Sequence, residues 1–131
     1  MSDRLTVHAN GLDISYVTEG DGPPLLMLHG ATSMGTHDWG AQRPMLRGQR
    51  TLFMPDARGH ARTVWDVRDG WSASMLADDP SRFEEALWVV RFNLLGRAMG
   101  ARTGRRLAAG DPRGVVWLAA VSGAVGGGAG A

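Results

Sequence analysis

Hydrophobic and polar positions alternate near the start of the chain. The alternation covers residues 5–8 and 12–17, on either side of Asn10-Gly11. An Asn-Gly pair between two alternating segments is the strongest short hairpin signal, because both residues accept the left-handed backbone of a tight turn. The sequence therefore predicts that an antiparallel pair of strands opens the chain.

Four later segments are apolar without alternation, which is typical of strands covered on both faces of a sheet. They are residues 25–28, 51–54, 92–95 and 115–121. Segments with helical character lie between them, at residues 38–46, 71–88 and 99–109. Strands that alternate with helices predict βαβ crossovers and a mostly parallel α/β sheet.

The longest helical segment contains Asp79-Pro80. A proline inside a helix loses one backbone hydrogen bond and clashes with the carbonyl four residues earlier, at about 3 kcal/mol. We therefore expect the helix to break there, with Asp79 capping a second helix and Pro80 at its first position.

Length and composition set limits on the class of protein. The chain has 131 residues, 44% of them hydrophobic, which is enough for one domain with a real core. We expect that domain to span residues 1–121. Residues 122–131 are a run of small residues, mostly glycine and alanine, that predicts a flexible tail.

Charge and residue usage exclude several partners and sites. The formal net charge is +1, so nothing predicts a nucleic-acid or membrane-surface partner. Cysteine is absent, which excludes disulfides and thiolate ligands. No secretory signal or membrane span is recognisable. We expect a soluble, cytoplasmic protein with no metal and no cofactor.

Three short motifs carry the candidate chemistry, and each follows a predicted strand. They read LMLHGATS from Leu26, FMPDARGHA from Phe53 and LLGRAMGA from Leu94. In open α/β sheets, ligands bind at the carboxyl ends of the strands. The three motifs therefore predict one shared crevice.

The order and spacing of these motifs resemble the α/β-hydrolase superfamily, in its esterase, lactonase and epoxide-hydrolase-like branch. The resemblance covers the N-terminal half of that fold and runs from about Leu5 to Val121. It implies a truncated α/β-hydrolase fold. An N-terminal β-hairpin would lead into a mostly parallel sheet with helices on both faces.

The third motif resembles the tight strand-to-helix turn, the elbow, that exposes the nucleophile in this superfamily. Gly96 and Gly100 supply the room that such a turn needs. Ala98 stands at the nucleophile position, and its methyl group has no atom that can attack a substrate. No catalytic residue is therefore intact at the elbow.

The resemblance also assigns roles to the neighbouring residues. It implies that the backbone N–H groups of Ala31 and Met99 form an oxyanion hole. We expect the other residues of the motifs to shape the site rather than to catalyse. They are His29, Gly30, Gly96, Gly100, Asp56, Arg58 and His60.

The remaining members of a catalytic triad are also missing from their expected places. In the superfamily the acid and the histidine follow the nucleophile in the chain, but this sequence has no acidic residue after Asp111 and no histidine after His60. Ser33, Ser72 and Ser122 lack the elbow context, so we expect none of them to act as a substitute nucleophile.

These observations predict an α/β-hydrolase family protein, ancestrally an ester- or lactone-type hydrolase, that is catalytically inactive in this form. One alternative is a non-catalytic module that binds a small carbonyl or ester compound. Another is an interaction fragment of a larger hydrolase that self-associates through its last strand. A natural short protein, a fragment and a decayed gene product all fit the sequence, which does not identify a substrate.

Overall fold

The computed structural model describes residues 3–30, 34, 36–65, 72–111 and 114–121. These residues contain six strands: β1 (Asp3–Ala9), β2 (Leu12–Gly20), β3 (Pro24–Leu28), β4 (Thr51–Pro55), β5 (Phe92–Arg97) and β6 (Val115–Val121). The helices are a 3₁₀ turn (His37–Trp39), α1 (Arg43–Leu46), α2 (Ala73–Ala86) and α3 (Met99–Gly110). All six strands lie where the hydrophobic pattern predicts them.

The strands form one mixed sheet in the order β1-β2-β4-β3-β5-β6. β1, β2 and β4 pair antiparallel, whereas β3 is parallel to both β4 and β5, and β5 is parallel to β6. The predicted hairpin turn is confirmed, because Asn10 and Gly11 both have positive φ, at 53° and 78°.

Two hydrophobic cores cover the two faces of the sheet, as alternation along β3 shows. Leu26 and Leu28 belong to the core beneath α2 and α3, while Leu25 and Met27 belong to the core on the opposite face, with Trp39. Successive strand residues point to opposite faces. The prediction of helices on both faces is therefore confirmed.

The predicted break at Pro80 is wrong, because α2 runs without interruption from Ala73 to Ala86. Asp79 is not a cap. Its carboxylate pairs with Arg58 instead, and Phe83, one turn further on, is fully buried. These tertiary contacts on both sides of Pro80 offset the lost helix bond. The helix is capped earlier, by the Ser72 hydroxyl, which accepts a hydrogen bond from the Met75 N–H at 3.2 Å.

The single helix predicted over residues 38–46 is also wrong in detail. The structure has a 3₁₀ turn that ends at Trp39 and a separate α1 that begins at Arg43. Pro44 explains the separation, because it has no N–H to donate to the Gly40 carbonyl, as a continuous helix would require. Proline fits the first turn of a helix without loss of a hydrogen bond, and Pro44 stands in the first turn of α1.

Candidate functional site

The elbow lies between β5 and α3. Ala98 is the single residue between the end of β5 and the start of α3, and its backbone has φ 53° and ψ −113°. A positive φ is unusual for a residue with a side chain and marks local strain. Ala98 is therefore held in the strained conformation that the resemblance implies for the nucleophile position.

The two glycines of the elbow are required by close packing. A Cβ on Gly96 would collide with the Gly100 carbonyl, and a Cβ on Gly100 would collide with the Leu28 carbonyl. The second contact joins the start of α3 directly to the end of β3. The small residues thus bring two of the three motifs together.

The first turn of α3 begins directly after the elbow. The Ala98 carbonyl accepts hydrogen bonds from the Ala101 and Arg102 N–H groups at 3.0 and 3.2 Å. Met99 is the first residue of the helix, and N–H groups in a first turn have no helical partner. Ala31, the other residue of the predicted oxyanion hole, lies outside the described residues. The oxyanion hole therefore stays a prediction.

Asp38 places a carboxylate beside the elbow, which the sequence motifs do not reveal. The Gly30 N–H donates to Asp38 Oδ2 at 2.7 Å, and Arg97 Nη1 lies 3.7 Å from Asp38 Oδ1. A Cβ on Gly30 would lie 3.4 Å from both Asp38 Oδ2 and the Ala98 methyl. The only sequence feature that points to this carboxylate is that Asp38 is an acidic residue in the short helical turn after the β3 loop.

His29 is buried, and both of its ring nitrogens have backbone partners. Nδ1 lies 2.7 Å from the Gly30 carbonyl oxygen, which can only accept, and Nε2 lies 2.9 Å from the Ala57 N–H, which can only donate. The ring is therefore neutral with its proton on Nδ1. Burial lowers the pKa of His29, in agreement with that state. This geometry supports a positioning role and leaves neither nitrogen available for proton transfer.

The second motif supplies two charged side chains that are tied into ion pairs. Asp56 pairs with Arg4 at 3.0 Å and also accepts from the Arg62 N–H at 3.3 Å. Arg58 donates twice to the Asp79 carboxylate, at 2.9 and 3.0 Å. The sequence motifs do not include Arg4, and the sequence predicts Asp79 only as a helix cap, because each of the two lies more than 20 residues from its partner.

The hairpin turn is joined to the same network. The Asn10 side-chain amide donates to Asp79 Oδ1 at 2.8 Å. His60 also lies beside the site, and its ring centroid is 5.1 Å from that of His29. Most of the polar residues of the motifs are thus held by other protein groups.

A small cavity confirms that the three motifs converge. Its volume is about 30 Å³, and its lining includes His29, Asp56, Arg58, Met99 and Gly100. A cavity needs at least about 10–15 Å³ to hold one water, so this one fits one or two waters rather than a substrate. Ser33 and Ser122 lie outside the described residues.

The described residues contain no group of three or more His, Asp or Glu side chains arranged to hold a metal ion. The same part of the chain has no helix that is long and apolar enough to cross a membrane.

Comparisons with known proteins place this geometry in context. The chain matches no protein-family model. It is 32% identical over 121 residues to a fluoroacetate dehalogenase of a Burkholderia species, and it is 40% identical over 103 residues to a soluble epoxide hydrolase of a Corynebacterium species. These alignments cover 89% and 76% of this chain. An epoxide hydrolase of Vigna radiata has a similar structure, with a TM-score of 0.86 and 25% identity over 92% of this chain and 38% of that one.

The chain spans only 40% and 35% of the length of the dehalogenase and the Corynebacterium epoxide hydrolase. Within that span the N-terminal hairpin, the mostly parallel sheet and the helices on both faces agree with the truncated fold that the sequence predicts. The chain therefore has the fold of the N-terminal portion of the α/β-hydrolases, the superfamily of these dehalogenases and epoxide hydrolases, and is homologous to that portion.

Proposed function

We propose that this chain is an α/β-hydrolase-fold protein, descended from an ester- or lactone-type hydrolase, whose elbow no longer catalyses. The single observation that carries the proposal is the methyl group of Ala98 in the strained position between β5 and α3. The backbone geometry of the elbow is retained while the reacting atom is absent.

The expected loss of activity is large. Removing the nucleophile of a serine hydrolase lowers turnover by about a million-fold, and what remains comes from binding and the oxyanion hole. Ala98 is internal to the sequence, so a longer protein that contains this chain has the same defect. His29 does not compensate, because both ring nitrogens are occupied by Gly30 and Ala57.

The second candidate function is non-catalytic binding of a small carbonyl or ester compound at the elbow. The observation that favours it is the first turn of α3, where the Met99 N–H lies beside a residue that carries only a methyl group. Backbone donors at a helix N-terminus attract a partly negative oxygen whether or not a nucleophile is present.

Hydrolysis assays test the first candidate. The purified chain, Ala98→Ser and Ala98→Asp are compared on p-nitrophenyl butyrate, fluoroacetate and styrene oxide, with Ala109→Ser on the exposed side of α3 as the matched control. We expect the wild-type chain and the control to stay at background. Ala98→Ser should add little, since an unassisted hydroxyl is a weak nucleophile. Wild-type turnover that disappears in Ser33→Ala would contradict the proposal.

Ligand-detected NMR with methyl butyrate tests the second candidate. Ala98→Leu should abolish binding by filling the space beside the elbow, whereas Ala109→Leu on the exposed side of the same helix should leave it unchanged. Equal binding by both variants would place the ligand elsewhere.

A further inference from the structure

A second cavity lies at the end of the sheet opposite the elbow, where α2 ends and β5 begins. Its volume is about 490 Å³, within the range of roughly 300–1,000 Å³ that ligand sites occupy. Its lining includes Glu84, Trp88, Val89, Val90, Phe92 and Asp111. The cavity is therefore large enough for a small organic molecule, and its lining is both apolar and acidic.

Glu84 is the unusual member of this lining. The residue is 2% exposed, and neither of its carboxyl oxygens has a hydrogen-bond partner among the described residues. A buried polar group without a partner loses the free energy of its solvation and gains nothing in return. A ligand that donates a hydrogen bond inside this cavity would supply the partner that the buried Glu84 carboxyl group lacks.

Trp88 stands at the mouth of the same cavity in a backbone conformation that favours glycine. The Trp88 N–H donates to the Glu85 carbonyl and the Val89 N–H donates to the Glu84 carbonyl, at 3.0 and 2.9 Å. These are the two bonds of a Schellman motif, in which the residue at the Trp88 position usually is a glycine. Trp88 has φ 62° and is 90% exposed. Helix capping alone does not explain an exposed indole there.

Acidic side chains predominate in the part of the cavity lining that the structure describes. Among the described residues, Glu85 and Asp111 line it together with Glu84, and Arg91 is the basic side chain. Glu85 is paired with Arg82, at 3.1 Å, and Asp111 accepts from the Gly114 N–H, at 3.0 Å. Of the three acidic side chains in the described lining, Glu84 is the one whose oxygens lack a hydrogen-bond donor.

We propose that this cavity binds a small molecule that carries a primary amine on an aromatic or other apolar body. The ammonium group donates hydrogen bonds to Glu84, and the apolar body packs against Val89, Val90 and the Trp88 ring. An indole face also attracts a nearby cation. The site is independent of the elbow, because it lies at the amino-terminal end of β5 rather than the carboxyl end.

Binding of the amine is coupled to a proton. Burial raises the pKa of Glu84 to about 8, so near pH 7 the carboxyl group is protonated. An ammonium group beside it favours the carboxylate, and the displaced proton passes to solvent. The affinity for the amine therefore rises with pH, by about tenfold per pH unit below pH 8.

Isothermal titration calorimetry of the whole chain with 2-phenylethylamine tests the proposal, with 3-phenylpropionate as an acid of similar shape. The amine should bind with at least tenfold higher affinity than the acid. Glu84→Gln should weaken amine binding at least tenfold and remove its pH dependence between pH 6 and 8. Asp13→Asn, an exposed carboxylate on β2, is the matched control and should bind as the wild type does.

Trp88→Gly separates binding from folding. Glycine suits the left-handed backbone at this position, so the thermal midpoint of the variant should equal or exceed that of the wild type, while amine binding weakens at least fivefold. The proposal is overturned if the acid binds as well as the amine. It is also overturned if amine affinity is unchanged in Glu84→Gln or in Trp88→Gly.

Discussion

His29 and Ala57 are joined by a hydrogen bond of 2.9 Å from the Ala57 N–H to the Nε2 of the imidazole. His29 follows β3 and Ala57 follows β4, so the bond ties together the loops that leave two neighbouring parallel strands. With the Nδ1 proton donated to Gly30, the ring acts as a fixed bridge between the two motifs.

Acid should weaken this bridge. The pKa of His29 is lowered in the folded protein by burial, whereas in the unfolded chain it stays near the usual value of about 6.5. Below that pH His29 binds a proton in the unfolded chain but not in the folded chain. Its contribution therefore lowers the free energy of unfolding as pH falls. Urea unfolding at pH 7 and pH 5 should show that the free energy of unfolding of the wild type falls relative to that of His29→Gln as the pH is lowered. His8→Gln, at an exposed histidine, should follow the wild type, and the same pH dependence in His29→Gln as in the wild type would contradict the prediction.

Glu84 should give the opposite pH dependence. The pKa of Glu84 is raised by burial to about 8 from the ordinary 4.5. Between these values the folded chain holds a proton that the unfolded chain has lost, so stability falls as pH rises from 4.5 to 8, by about 1.4 kcal/mol per pH unit. Glu84→Gln should remove this slope and be the more stable protein at pH 8. The exposed Glu85→Gln is the control, and a slope that survives in Glu84→Gln would show that another group causes it.

Gly100→Ala should disrupt the elbow. A Cβ there would collide with the Leu28 carbonyl, which belongs to the backbone of a central strand and cannot move aside. We expect a loss of about 1–3 kcal/mol or more in the free energy of unfolding. The matched control is Gly110→Ala at the end of the same helix, where nothing lies within 4 Å of the added atom. It should be neutral or stabilise by up to about 1 kcal/mol. Equal effects of the two changes would mean that the packing of α3 on β3 is loose.

Asp79→Ala should be strongly destabilising. The change leaves the buried Arg58 guanidinium without the carboxylate that accepts two of its hydrogen bonds, and it also removes the acceptor of the Asn10 side chain. Removing one partner of a buried ion pair costs about 3–5 kcal/mol. Thermal or urea unfolding measures the loss. Glu85→Ala breaks the exposed pair with Arg82 and should cost less than about 1 kcal/mol, so similar losses in both variants would contradict the prediction.

We propose that the isolated chain self-associates through β6. In the part of the chain that the structure describes, β6 lies at one edge of the sheet and pairs with β5 alone. Its sequence has no charge or proline, the features that usually prevent an edge strand from pairing with another chain. Sedimentation analysis should show that Val116→Lys lowers the fraction of oligomer, whereas Thr6→Lys on the opposite edge strand does not. A monomer at high micromolar concentration would exclude this association.

The sequence by itself determined the strands, the hairpin and the elbow, because each depends on a local signal. Asn10-Gly11 accepts a tight turn whatever surrounds it, and Gly96 and Gly100 mark a close approach of backbone that larger residues would prevent. That an alanine, Ala98, stands at the position the resemblance assigns to the nucleophile could likewise be read from the sequence alone. These features require no knowledge of which segments meet.

Only the tertiary structure decided the course of α2 and the partners of the buried polar groups. Local propensity places a break at Pro80, but Phe83 is buried and Asp79 pairs with Arg58, and these contacts keep the helix continuous. The unpartnered carboxyl of Glu84 was equally invisible in the sequence, where it is one of two adjacent glutamates. Burial and charge pairing depend on residues that are distant in the chain, so no local pattern could assign them.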